Sequence, residues 1–200
     1  NINVISAGYK NSNGNHKLGP IKLTSHAGKN SYNINLAAPF IDAEYNGTAP
    51  ATSFIQKIVA LTMYSHAKNL FAKNEKKENW KSEKLEEIYN DDNTYDLKIK
   101  TNNTSALCQF ILPGLYIEEN TLLEARIGEK NIFDLNLNSG GIVFKRDFIK
   151  GLDIDLTNRD SILSLNLMGD NIMVAGLRMD SSYFTVKGKE NLFNAIFAFQ

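Results

Sequence analysis

The chain has 200 residues, a single cysteine, and 22 basic against 22 acidic side chains. A chain this long can bury a sizeable core, and the lone Cys108 allows no intrachain disulfide to staple it. The formal net charge of zero argues against a general nucleic-acid binder, which needs a basic excess to neutralise phosphates, and gives no support for electrostatic docking on a membrane.

The opening "NINVISAGYKNSNGNHKLGP" is polar and rich in Asn and Gly, so residues 1–20 read as a flexible leader. No apolar segment here is long enough for a signal peptide or a membrane span. The start at Asn1 rather than Met suggests either a removed export signal or a chain trimmed at its start. Residues 21–200 then read as one β-domain, with a possible subdivision near 92–114. "IKLTS" alternates at Ile21, Leu23 and Ser25, and "YNINLAAPF" at Tyr32, Ile34 and Leu36. Alternation places successive side chains on opposite faces of a strand. "FIQKIVALTMYSH", Phe54 to His66, is apolar at both phases and reads as a central strand between packed layers. "NEKKENWKSEKLEEIYNDDN" breaks the rhythm. Its Leu85, Ile88 and Tyr89 fall at helical spacing, which predicts one surface helix from Asn79 to Tyr89, pinned by Trp80 and Leu85.

Strand signals then dominate. "YDLKIKT", "ALCQFILP", "LYIEENTLLEARIG", "NIFDLNLN", "IVFKRDF" and "GLDIDLTN" follow at short intervals. In "SILSLNLMGDNIMVAGLRMD", Leu163, Leu165 and Leu167 alternate, Gly169-Asp170-Asn171 reads as a tight turn, and Gly176 as a bulge. The chain closes on "SSYFTVKG" and "LFNAIFAFQ". The pattern predicts a mainly β fold, an antiparallel sandwich of immunoglobulin-like or jelly-roll-like kind with one inserted helix.

Chemistry is sparse. His16, His26 and His66 are not spaced with one another or with Cys108 as metal ligands are, and no G-x-S-x-G or P-loop stretch occurs. Cys108, in an apolar run, reads as a buried inert thiol. Asp153 and Asp155 share one side of a strand and are the candidates for calcium, against a reading as a polar strand edge that discourages aggregation. Tyr32, Tyr45, Tyr64, Tyr89 and Tyr116 could serve a glycan as aromatic platforms, although core packing accounts for them more simply. No catalytic residue and no cofactor site emerges.

"APFIDAEYNGTAPATSFIQKIVALTMYSHAKNLF" resembles uncharacterised cell-surface lipoprotein domains of Bacteroidetes over about Ala38 to Tyr89. That resemblance implies an immunoglobulin-like or transthyretin-like sandwich, tethered outside the cytoplasm behind a polar leader. The resulting expectation is a non-enzymatic extracytoplasmic or cell-surface domain. It would bind a protein or glycan partner, or assemble as a homo-oligomer, through loops and strand edges. A structural virion or phage protein and a carrier of a hydrophobic ligand are the alternatives, the carrier because doubly apolar strands could line a cavity.

Overall fold

The structure is a computed structural model that describes residues 1–11, 14–71, 87–88, 90–159, 162–189 and 192–200. In chain order it contains β1 (Ile2–Asn11), β2 (Gly14–Ala27), β3 (Tyr32–Ala38), β4 (Ile41–Gly47), the helix α1 (Ala51–Phe71), β5 (Tyr95–Thr101) and the short helix α2 (Ser105–Ile111). There follow β6 (Leu115–Ile117), β7 (Leu122–Ile127), β8 (Phe133–Phe144), β9 (Asp147–Thr157), β10 (Ile162–Gly169), β11 (Asn171–Val174), β12 (Leu177–Met179), β13 (Ser182–Lys189) and β14 (Leu192–Phe199).

The expected mainly β, antiparallel character holds. The strands do not divide into two packed sheets, however. All fourteen belong to one open sheet ordered β1-β2-β3-β4-β5-β7-β8-β9-β10-β13-β14, and a helix lies where a sandwich would place its second sheet. The three strands off that path lengthen its rows. Met168 of β10 faces Asp153, and Asn171 of β11 faces Lys150, so β10 and β11 run along β9 in one unbroken register. β12 continues into β13 in the same way, since Leu165 faces Val186 and Ile172 faces Met179. β6 and β7 both pair with β8.

The row breaks align across the sheet. Gly140 and Gly151 lie opposite each other between the pairs Ser139–Leu152 and Gly141–Lys150. Asp170 separates β10 from β11 at that level, and its N–H still reaches the Lys150 carbonyl at 2.9 Å. Gly151 has φ +57°, a conformation costly for any residue with a Cβ. The result is a crease that re-phases the side-chain alternation. Apolar positions on β8 are odd-numbered up to Leu137, and Ile142, Val143 and Phe144 are all apolar beyond. A Cβ on Gly169 would touch Ile172 and Ile149 side chains, so these two lie on the same side of the sheet as the leucines before the crease.

Two segments read as strands are helices. The run from Phe54 to His66 belongs to α1. Its decisive signal is Phe54, Ile58 and Leu61, spaced as one helical stripe and packed on the sheet, while Ile55 is exposed. Thirteen consecutive residues also exceed the usual strand of 5–6. "ALCQFI" forms α2, because Asn103-Thr104-Ser105 before it and Pro113-Gly114 after it are helix start and stop signals. Asn103 Oδ1 accepts the Ser105 N–H at 3.2 Å, and Cys108 is buried on the inner side of this helix.

The opening segment, read as a leader, pairs as β1 with β2, and β2 pairs with β3. Its few apolar residues meet across strands, as Ile2 does with Leu23, and the Tyr9 hydroxyl donates to the Ala106 carbonyl of α2 at 2.8 Å. The Gly169-Asp170-Asn171 segment is not a hairpin turn but the row break described above. The chain reverses five residues later at Ala175-Gly176, whose φ values of +52° and +82° are those of a two-residue hairpin turn. Most of the helix expected over Asn79–Tyr89, with Trp80 and Leu85, lies outside the described residues.

Candidate functional site

Cross-strand pairing joins the apolar phases of successive strands into one surface. Leu23 faces Leu36, which faces Ala43, which faces Ile99. The line continues through Leu123, Leu137, Ile154, Leu167 and Phe184 to Phe197 on the last strand. A parallel line runs Ile34, Tyr45, Leu97, Ala125, Leu135, Leu156, Leu165, Val186 and Ala195. One side of the sheet is therefore apolar from its first rows to its last.

α1 crosses the middle of this side. Beneath it Tyr45, Tyr95, Ala125, Ile127 and Phe133 are buried together with Phe54 and Leu61 of the helix. The Phe54 and Tyr95 rings lie tilted at 5.7 Å. The Tyr45 hydroxyl donates to the Ala49 carbonyl. Burial, with Tyr95 and Tyr32 nearby, pushes the Tyr45 phenol up to about 12, and burial raises that of Tyr95 as well.

A helix is about 10 Å across and neighbouring strands lie about 4.8 Å apart, so one helix cannot cover eleven rows. Towards β14 the cover thins. Leu165, Leu167, Phe184 and Val186 are half-buried, and Phe197 and Phe199 are 55% and 63% exposed. Phe184 meets Phe197 edge-on at 6.3 Å, and Phe197 meets Phe199 at 5.3 Å, which makes an aromatic strip at the open end. Phe193 folds its ring over Gly188, where no side chain competes for the space.

The opposite side is polar. It carries the ion pairs Arg126–Asp96 at 2.8 Å, Lys98–Glu124 at 2.7 Å and Arg159–Asp134 at 2.7 Å. The Arg159 guanidinium holds the Asp134 carboxyl below its ordinary value, and Glu124 raises Lys98. Asp153 and Asp155 lie on this side, between Asn138 and Met168 and between Asn136 and Asn166. Asn138 donates to Asp153 at 3.1 Å. Among the described residues no three His, Cys, Asp or Glu side chains come together as a metal site.

The other candidates do not converge. His16 stacks on Tyr9 at 4.6 Å, and His26 is exposed at the end of β2. Tyr45 is buried, Tyr32 is packed against the core, and Tyr116 is exposed near α2. The side chains of Tyr64, His66 and Tyr89 lie outside the described residues. No described helix is long and apolar enough to cross a membrane. The feature that reasoning on single strands missed is the continuity of the apolar side. Its signal lies in most of the strands from β3 to β13 as the same two-residue alternation, but only the register shows that the phases line up.

The chain matches no family model, and no curated protein or solved structure shows significant similarity to it.

Proposed function

We propose that this is a non-enzymatic carrier domain that holds an extended apolar ligand, a long acyl chain, along the apolar side of its sheet. The observation that carries this reading is the mismatch between that side and its cover. The leucine and phenylalanine rows run on beyond α1 to an open aromatic strip. Exposed apolar area of this kind marks ligand grooves or interaction sites. An acyl chain lying across the rows would complete the second layer that a sandwich builds from a second sheet. Each buried CH₂ contributes about 0.8 kcal/mol, so a chain of a dozen carbons is enough for firm binding even after its ordering cost.

The test is titration with a fluorescently labelled sixteen-carbon fatty acid. Wild type should bind it saturably. Leu167→Ser, which places a hydroxyl in the half-buried row between Ile154 and Phe184, should weaken binding about tenfold, as the loss of roughly 1.4 kcal/mol of apolar contact does. Asn136→Ala, exposed on the polar side, should leave binding unchanged. No saturable signal up to the probe's solubility limit, or equal weakening by both variants with their circular dichroism intact, overturns the reading.

A further inference from the structure

We propose that two copies of this chain join through their β14 strands, antiparallel about a two-fold axis at Ile196, into one continuous sheet. The proposal stands on the edge strand and not on the ligand reading.

β14 pairs with β13 over eight consecutive residues without a register shift, and among the described residues no strand pairs with its outer side. An edge strand presents a row of N–H and C=O groups that fit only another extended strand. Proteins that keep such edges single protect them with charge, proline, short length or a bulge. β14 has none of these. Leu192–Phe199 contains no charged residue, no Pro and no Gly, and every residue in it is exposed. The other edge differs. β1 carries register irregularities around Ala7 and Gly8, and Lys10 lies near its end. It cannot offer an unbroken ladder of eight residues.

An uncharged, mostly apolar strand with an unbroken register fits this edge, and β14 itself meets that description. Antiparallel pairing centred on Ile196 sets Ala195 of one copy against Phe197 of the other, small against large on the apolar side. On the polar side it sets Asn194 against Ala198. Such a contact uses the same patch on both copies, so it closes at two and does not propagate into fibres. It would also join the two aromatic strips into one.

Light scattering coupled to size-exclusion chromatography should show wild type as a dimer. Ile196→Lys places like charges directly opposite each other across the axis and should give a monomer with an unchanged circular dichroism spectrum. In a Cys108→Ser background, Ile196→Cys should oxidise to a covalent dimer, because directly opposed residues are the cross-strand pair whose Cβ atoms approach the separation of about 3.5–4.5 Å that a disulfide spans. Asn194→Cys, opposite Ala198, should cross-link far less. A monomeric wild type, a dimer that survives Ile196→Lys, open-ended oligomers, or equal cross-linking at both positions would each overturn the proposal.

Discussion

Lys57 offers the sharpest test of how α1 is tied to the sheet. Its side chain is 0% exposed, and its ammonium donates to Asp91 Oδ1 at 2.7 Å, the Asp91 carbonyl at 2.7 Å and the Ile88 carbonyl at 2.8 Å. These acceptors lie just before β5, so the bonds fix the chain's return from the helix to the sheet. Taking an ammonium out of water costs several kcal/mol, and the net worth of the intact cluster is small. Its removal is a different matter. Lys57→Met keeps the apolar stem in place, so the transfer and cavity terms nearly vanish. What is lost includes these three hydrogen bonds, each worth about 1.5–3 kcal/mol when charged, against the recovered desolvation of the ammonium. The Asp91 carboxylate is 29% exposed and can rehydrate, which leaves mainly the two carbonyls wanting a donor. The expected loss is about 2–4 kcal/mol in equilibrium urea unfolding. Asp91→Asn keeps all three acceptor atoms and should lose only about 1–2 kcal/mol. A Lys57→Met loss within about 0.5 kcal/mol, the range of an ordinary surface change, would refute the clamp.

Leu165 faces Leu156 and Val186 but is only half-buried, so Leu165→Ala should cost about 1–2 kcal/mol, below the 2–5 kcal/mol of a sealed core site, while Phe133→Ala, beneath α1, should cost about 3–5 kcal/mol. Ser164→Ala, on the polar side, should stay within about 0.5 kcal/mol, and urea unfolding of the three variants decides the ranking. The raised phenols of Tyr45 and Tyr95 favour the folded state below the ordinary tyrosine pKa of about 10, and this contribution is lost as pH rises from there through about 12 for Tyr45. Tyr45 and Tyr95 should therefore ionise late in a phenolate-absorbance titration, and one late step should disappear in Tyr45→Phe. Ionisation of all eight tyrosines in one step near pH 10 with the fold intact would contradict their burial.

The period-two alternation made the β content and most of the strands after Tyr95 legible, because a strand that buries one side records that fact in its own residues. The architecture was not legible, because whether apolar phases face a second sheet, a helix or a ligand depends on partners far along the chain. α1 was misread for a physical reason. Phe54, Ile58 and Leu61 carry the helical stripe, but exposed Ile55 and Val59 fill the gaps between them and imitate a strand buried on both sides. The Gly169-Asp170-Asn171 segment misled in the opposite direction. Turn residues also suit a crease, and only the register with β9 separates the two. The opening strands were hidden because β1 and the start of β2 are held largely by backbone hydrogen bonds and cross-strand neighbours, with little apolar signal of their own.

The order of the rows also shapes how the molecule forms and comes apart. Apart from the return across α1, each row pairs with the row next to it in the chain, so contacts are short in sequence and little loop entropy is lost in making them. Folding can start from any one hairpin and spread outward quickly, as low contact order allows. Stability in such an array is nearly a sum of nearest-neighbour couplings, as in repeat proteins. The rows beneath α1 have a coupling the outer ones lack. In a single copy the β13–β14 end can therefore fray and close again while the middle stays folded, which places the least costly opening in the chain beside its aromatic strip.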